Sequence, residues 1–140
     1  MLLDDLPAIK KLLTTSRTIA VVGLSPKEAR PSNMVARYLI EAGYTVIPVN
    51  PGQEEILGLD CYPNLTAIPT PVEIVNIFRR SEEVEPIVAE AITLGARMIW
   101  MQEGVIHAEA ARTAKAAGLV VVMDRCIKTV HHCLGHERAE

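Results

Sequence analysis

One local pattern occurs three times and confines the chain to a narrow set of folds. Glu41-Ala42-Gly43 leads into Tyr44-Thr45-Val46-Ile47-Pro48-Val49. Thr93-Leu94-Gly95 leads into Ala96-Arg97-Met98-Ile99-Trp100-Met101, and Ala116-Ala117-Gly118 into Leu119-Val120-Val121-Val122-Met123. Each reads as a helix end, a glycine suited to the left-handed C′ position, and an apolar strand. Apolar strands alternating with helices are buried on both faces, which means a parallel sheet with helices packed on each side. Two further runs, Ile19 to Gly23 and Val72 to Phe78, bring the strands to five. Right-handed crossovers then predict a doubly wound α/β domain in the order 3-2-1-4-5, with the chain reversing between the first and fourth strands. Ligands of such sheets bind beyond the carboxyl ends of the strands, at that reversal.

The helices follow from spacing. Asp5-Leu6-Pro7 opens a short one, with Asp4 or Asp5 near its cap and Ile9, Leu12 and Leu13 on its apolar side. A second opens behind Ser32 and carries Val35, Ala36, Leu39 and Ile40 on one side. The stretch from Gly52 to Pro63 reads as a loop, followed by one helical turn near Leu65. Another helix starts at Ser81 or Glu83 and is regular from about Glu85, because Pro86 belongs in a first turn. Ala108 to Ala117 is the last clear helix, and a histidine-rich tail follows Lys128.

At 140 residues the chain is read as one domain, 1–140, with no linker or low-complexity segment. No apolar run is long enough to span a bilayer. The start, Met1-Leu2-Leu3-Asp4-Asp5, is acidic where a secretory signal would be basic. Three widely spaced cysteines make no disulfide framework and fit reduced thiols in a cytoplasm. The net charge of −3 argues against nucleic acid as a partner, since a phosphate backbone needs a basic face.

Against that acidic balance, five cations fall at the predicted carboxyl edge: Lys27, Arg30, Arg79, Arg80 and Lys128. Clustered there, they suggest a ligand with several phosphates. Arg79 and Arg80 have a plainer alternative, which is to face water or pair with Glu82 and Glu83. The loop after the first strand runs Gly23-Leu24-Ser25-Pro26-Lys27-Glu28-Ala29-Arg30-Pro31-Ser32 into a helix N-terminus, whose unpaired N–H groups favour anions. It lacks the Gly-x-Gly-x-x-Gly of a dinucleotide site, and the second strand ends in Asn50-Pro51 where a ribose-binding acid would stand.

Six short segments in chain order carry a resemblance. They are Val22-Gly23-Leu24-Ser25-Pro26, Arg30-Pro31-Ser32, Val49-Asn50-Pro51, Phe78-Arg79-Arg80, Met101-Gln102-Glu103-Gly104 and Met123-Asp124-Arg125-Cys126. Together they resemble the stand-alone CoA-binding proteins, similar to the Rossmann-like CoA-binding domain of the succinyl-CoA synthetase α subunit. The resemblance implies coenzyme A or an acyl-CoA as ligand. It implies the diphosphate on Ser25, Pro26, Lys27 and Glu28, and the nucleotide end by Asn50, Pro51, Phe78 and Arg79. Pantetheine would run along Met101, Gln102 and Glu103, with Cys126 near its thiol. The synthetase has a CoA-contacting lysine where this chain has Gln53, so Arg30 or Arg79 would supply that charge. The synthetase's phosphorylated histidine belongs to a further domain outside these 140 residues, so the resemblance implies binding and not ligase activity.

The candidate binding set is therefore Gly23, Ser25, Pro26, Lys27, Arg30, Ser32, Asn50, Pro51, Phe78, Arg79, Arg80, Gln102, Glu103, Gly104, Cys126 and Lys128, with no catalytic or metal residue. His131, His132, Cys133 and His136 with Cys126 match no usual zinc spacing. His107 stands at a helix start, where a local hydrogen bond is expected, and Trp100 and Tyr44 are expected in the core. An NAD(P)- or other nucleotide-binding oxidoreductase or transferase component remains an alternative, as does an adaptor that has lost its ligand. The sequence leaves open a second copy or another protein as partner.

Overall fold

The computed structural model describes residues 5–135. Its strands are β1 (Thr18–Val22), β2 (Thr45–Val49), β3 (Glu55–Ile56), β4 (Leu59–Asp60), β5 (Ile74–Ile77), β6 (Met98–Met101) and β7 (Val120–Val122). Its α-helices are α1 (Leu6–Thr15), α2 (Pro31–Glu41), α3 (Val84–Leu94), α4 (Ala108–Ala116) and α5 (Ile127–Gly135). Five strands form one parallel sheet, as the repeated helix–glycine–strand pattern implies. The three glycines of that pattern, Gly43, Gly95 and Gly118, all adopt positive φ.

Side chains alternate along each strand. Ala20, Val75, Ile99 and Val121 pack against α3 and α4 through Val88, Ala91, Ala110 and Ala114. Ile19, Ile74, Met98 and Trp100 face the other layer, meeting Ile9 and Leu13 of α1, Val35 and Leu39 of α2, and Ile127 of α5. Trp100 and Tyr44 are buried as expected, and the Tyr44 hydroxyl donates to the Leu13 carbonyl. Ile40 departs from expectation and stands exposed on α2. Asn76, in the middle strand, is buried with neither amide atom hydrogen-bonded among the described residues.

The strand order corrects one expectation. The sheet runs β2-β1-β5-β6-β7, which in the numbering of the five long strands is 2-1-3-4-5 rather than 3-2-1-4-5. Two features of β2 account for it. Its outer edge is taken by Tyr62, whose N–H donates to Pro48 O (3.0 Å) and whose carbonyl accepts from Asn50 N (2.9 Å). On that same side Pro48 has no N–H to offer a further strand, and proline is tolerated on sheet edges for that reason. The stretch read as a loop contains the β3–β4 hairpin, with Leu57 and Gly58 both at positive φ in its turn.

Glu73 fastens β5 beside β1. Its Oε1 accepts from Arg17 N (2.6 Å) and Thr18 N (3.1 Å), while Glu73 N donates to Thr18 Oγ1 (3.0 Å). Partial burial opposes the charge, but the hydrogen bonds from Arg17 and Thr18 outweigh it and hold the carboxyl below its ordinary 4.5. A depressed folded pKa contributes stability that is full above the unfolded value and lost as pH falls through the folded one. Glu73→Gln is therefore expected to lower the urea midpoint at pH 7, by on the order of 1 kcal/mol for a partly exposed site. At pH 3 the variant and the parent should converge. An equal deficit at both pH values would show that the carboxylate's charge is immaterial.

The segment after Arg125 is the second correction. It forms α5, with Ile127, Val130, His131 and Leu134 at helical spacing. His131 is buried, and its Nδ1 lies 2.7 Å from the Tyr38 hydroxyl of α2. The histidines hid the apolar periodicity because a His turned inward and paired with a tyrosine behaves as a core residue.

Candidate functional site

The order 2-1-3-4-5 moves the reversal of the chain to the boundary between β1 and β5. There the loops after those strands touch. Phe78 N–H donates to Val22 O (2.8 Å) and Gly23 N–H to Val49 O (2.8 Å), so three strand ends meet around Gly23. Gly23 has φ 89, and a Cβ on it would lie 2.3 Å from the Phe78 carbonyl oxygen. Only glycine allows the two loops to approach this closely.

Two clefts open on either side of that contact. The smaller, about 250 Å³, is lined by Gly23, Ser25, Arg30, Ser32 and Phe78. The larger, about 390 Å³, has apolar walls from Val49, Pro51, Leu65 and Ile87, with Arg79 and Glu83 beside Gly23. A floor of small and apolar groups with cations on both sides is suited to a ligand that combines a ring system with phosphates.

The first loop is shaped by its own hydroxyls. α2 begins at Pro31 with Arg30 at the N-cap, two residues earlier than a Ser32 cap would set, because proline suits the first helical position. Ser32 Oγ instead accepts from Ser25 N (2.9 Å), and Ser25 Oγ accepts from Lys27 N (3.1 Å). Asn33, buried, donates to Ser25 O (2.9 Å). Pro26 and Lys27 lie at the exposed outer turn of this loop. Lys27 and Arg30 have no ion-pair partner among the described residues. Arg79 and Arg80 do, both to Glu83, as the plainer reading of these arginines expected.

Other expected site residues turn out to brace the loops. Asn50 joins the first two, donating from Nδ2 to Leu24 O (2.9 Å) and accepting at Oδ1 from Gly52 N (2.9 Å). Gln102 is buried, with Oε1 accepting from Ile127 N (2.9 Å) at the start of α5. Gly104 N donates to Asp124 Oδ1 (2.8 Å), tying the loops after β6 and β7, while Glu103 is exposed. His107 Nδ1 accepts from Ala110 N (3.0 Å), the local bond expected of it.

Lys128 is not at the reversal. Its Nζ lies 5.7 Å from the Tyr38 ring centroid, over α2. Cys126 follows the edge strand β7, two strands from β5 and three from β1. It is half-buried in the same apolar layer as Phe78 and Leu24. Burial pushes the Cys61 thiol's pKa up, and its Sγ lies 3.6 Å from Asn50 O. Among the described residues no group of three His, Cys, Asp or Glu is placed to hold a metal, and His136 lies outside them. Sequence reading missed the apolar wall of the larger cleft, since Leu65 and Ile87 look like ordinary core positions until the fold brings them beside Gly23.

The arrangement can be set beside known proteins. Uncharacterized protein YneT of Bacillus subtilis is 43% identical over 123 residues, covering 88% of this chain and 91% of that protein. The solved structure of a hypothetical protein from Pyrococcus horikoshii OT3 is 41% identical, with a TM-score of 0.88 over 91% of this chain and 90% of that one. Acetate–CoA ligase (ADP-forming) I of Archaeoglobus fulgidus is 27% identical over 125 residues, 82% of this chain but 18% of the ligase. The sequence profile of the CoA binding domain matches residues 17–132, from the start of β1 into α5, and the chain belongs to that family.

Proposed function

We propose that this chain binds coenzyme A, free or acylated, across the carboxyl ends of β2, β1 and β5, and catalyses no reaction of its own. The observation that carries the reading is the pair of clefts meeting at Gly23, with Arg30 on one side and Arg79 on the other. A diphosphate lies against the first loop, Ser25 to Glu28, within reach of Lys27 and Arg30. The adenosine end enters the larger cleft by Pro51 and Arg79, whose apolar walls suit a ring. Pantetheine runs outward past Gln102, Glu103 and Gly104 toward Cys126. From β5 to β7 is two strand spacings, roughly 10 Å, which an extended pantetheine spans. The likeness to a segment of an acetate–CoA ligase supports the same ligand class.

Calorimetric titration with CoA, NAD and ATP tests this directly. CoA is expected to bind, with NAD and ATP at least about tenfold weaker because neither carries both a diphosphate and a separate ribose phosphate. Tight NAD binding without CoA binding would overturn the reading in favour of a dinucleotide component. No binding by any of the three would favour an adaptor.

A further inference from the structure

One carboxylate in the larger cleft sits where two guanidinium groups converge. Glu83 Oε1 accepts from Arg79 Nε (2.8 Å) and Nη2, and its Oε2 accepts from Arg80 Nε (2.8 Å), with Arg80 Nη2 in ion-pair contact at 2.6 Å. Two arginine forks closing on one anion is how guanidinium groups hold a phosphate. The contact is also well placed: Arg79 and Glu83 line the cleft, and a Cβ on Gly23 would lie 3.0 Å from Arg79 Cδ. Glu83 and Arg79 are partly shielded, at 25% and 35% side-chain exposure, while Arg80 at 76% is set in solvent. Glu83 precedes α3 but its side chain makes no capping bond to that helix, so nothing in α3 holds it on the arginines. The guanidinium groups hold the Glu83 carboxyl below its ordinary range, the Arg79 hydrogen bond contributing most.

We propose that Glu83 is a specificity-determining residue of this cleft, an internal anion that keeps Arg79 and Arg80 converged and gives way only to a phosphate monoester. A monoester carries close to two negative charges at neutral pH against one for the carboxylate, so it can displace Glu83 where a singly charged group cannot. The inference rests on the CoA reading above. It adds that the ribose 3′-phosphate is the group recognised here, and that every ligand bearing it binds in competition with Glu83.

The test is titration of CoA and of dephospho-CoA, which lacks the 3′-phosphate, into the parent protein, Glu83→Gln and Glu82→Gln. Glu82 is a matched control, since it is exposed and its Oε2 lies 3.8 Å from Arg80 Nε. Glu83→Gln is expected to bind CoA about three- to tenfold more tightly, the size of freeing partly exposed arginines, with dephospho-CoA changed less than about twofold. Glu82→Gln should move neither ligand by more than about twofold. Equal gains in both variants, or for both ligands, would reduce the effect to general relief of negative charge and overturn the proposal. Identical CoA affinity in the parent and Glu83→Gln would overturn it while leaving CoA binding intact. Failure of all three proteins to bind CoA would overturn the CoA reading and the inference together.

Discussion

Gly23→Ala is expected to destabilise the protein by roughly 2–4 kcal/mol and to abolish measurable ligand binding. Two costs add. A side chain at φ 89 is strained by about 1–2 kcal/mol wherever it stands. At this position the new methyl would also meet the Phe78 carbonyl oxygen at 2.3 Å, and backbone cannot rotate aside as a side chain would. Relief requires the loops after β1 and β5 to part, stretching the hydrogen bonds from Phe78 N to Val22 O and from Gly23 N to Val49 O. Gly118→Ala separates the two costs: its φ is 93, but nothing lies within 4 Å of the added Cβ. Urea unfolding should show Gly118→Ala losing about 1 kcal/mol and Gly23→Ala distinctly more. Equal losses would mean that the loops at the reversal tolerate separation and that glycine there serves the turn alone.

Arg30→Ala is expected to weaken CoA by about 1.5–3 kcal/mol, roughly 10- to 150-fold, with little change in the unfolding midpoint. Arg30 lines the smaller cleft with no ion-pair partner among the described residues, so removing it forfeits a contact to the ligand and little else. Arg79→Ala should fall at the lower end of that range. There the ligand must first displace Glu83, so part of the contact is already spent within the protein. Dephospho-CoA should lose less on Arg79→Ala than CoA does, and about as much on Arg30→Ala. Calorimetry on the four combinations decides it. Unchanged affinity in both variants would show that these arginines serve only the surface.

Much of the candidate site was legible because the loops that form it are marked locally. Gly23, Ser25, Arg30 and Ser32 follow an apolar strand and precede a proline-started helix, and they do line one cleft. Pro51, Phe78 and Arg79 were legible as residues just past strand ends. Asn50 and Gln102 were marked by the same position, and in the structure their amides also brace neighbouring loops, since an amide near a strand end can satisfy a loop as readily as a ligand. Nothing local distinguishes the two uses. Glu83 was visible as a partner for Arg79 and Arg80, but that one carboxylate joins both forks depends on the turn from Ser81 to Glu83.

The sequence by itself determined the class of fold, since three helix–glycine–strand units with strands apolar on both sides are buried in a parallel sheet covered by helices on each face. It also determined that the polar loops and their cations follow the carboxyl ends of those strands. Which strands stand side by side was decided in three dimensions. Tyr62 and Pro48 close the outer edge of β2, and Glu73 fastens β5 to β1, contacts between residues 14 and 55 positions apart. The same pairing decided where the chain reverses, and hence that Gly23 and Phe78 share a boundary while Cys126 and Lys128 stand away from it. Periodicity reports which faces of an element are buried, whereas adjacency depends on which edge still has hydrogen-bonding groups to offer, and that is settled only when the elements pack.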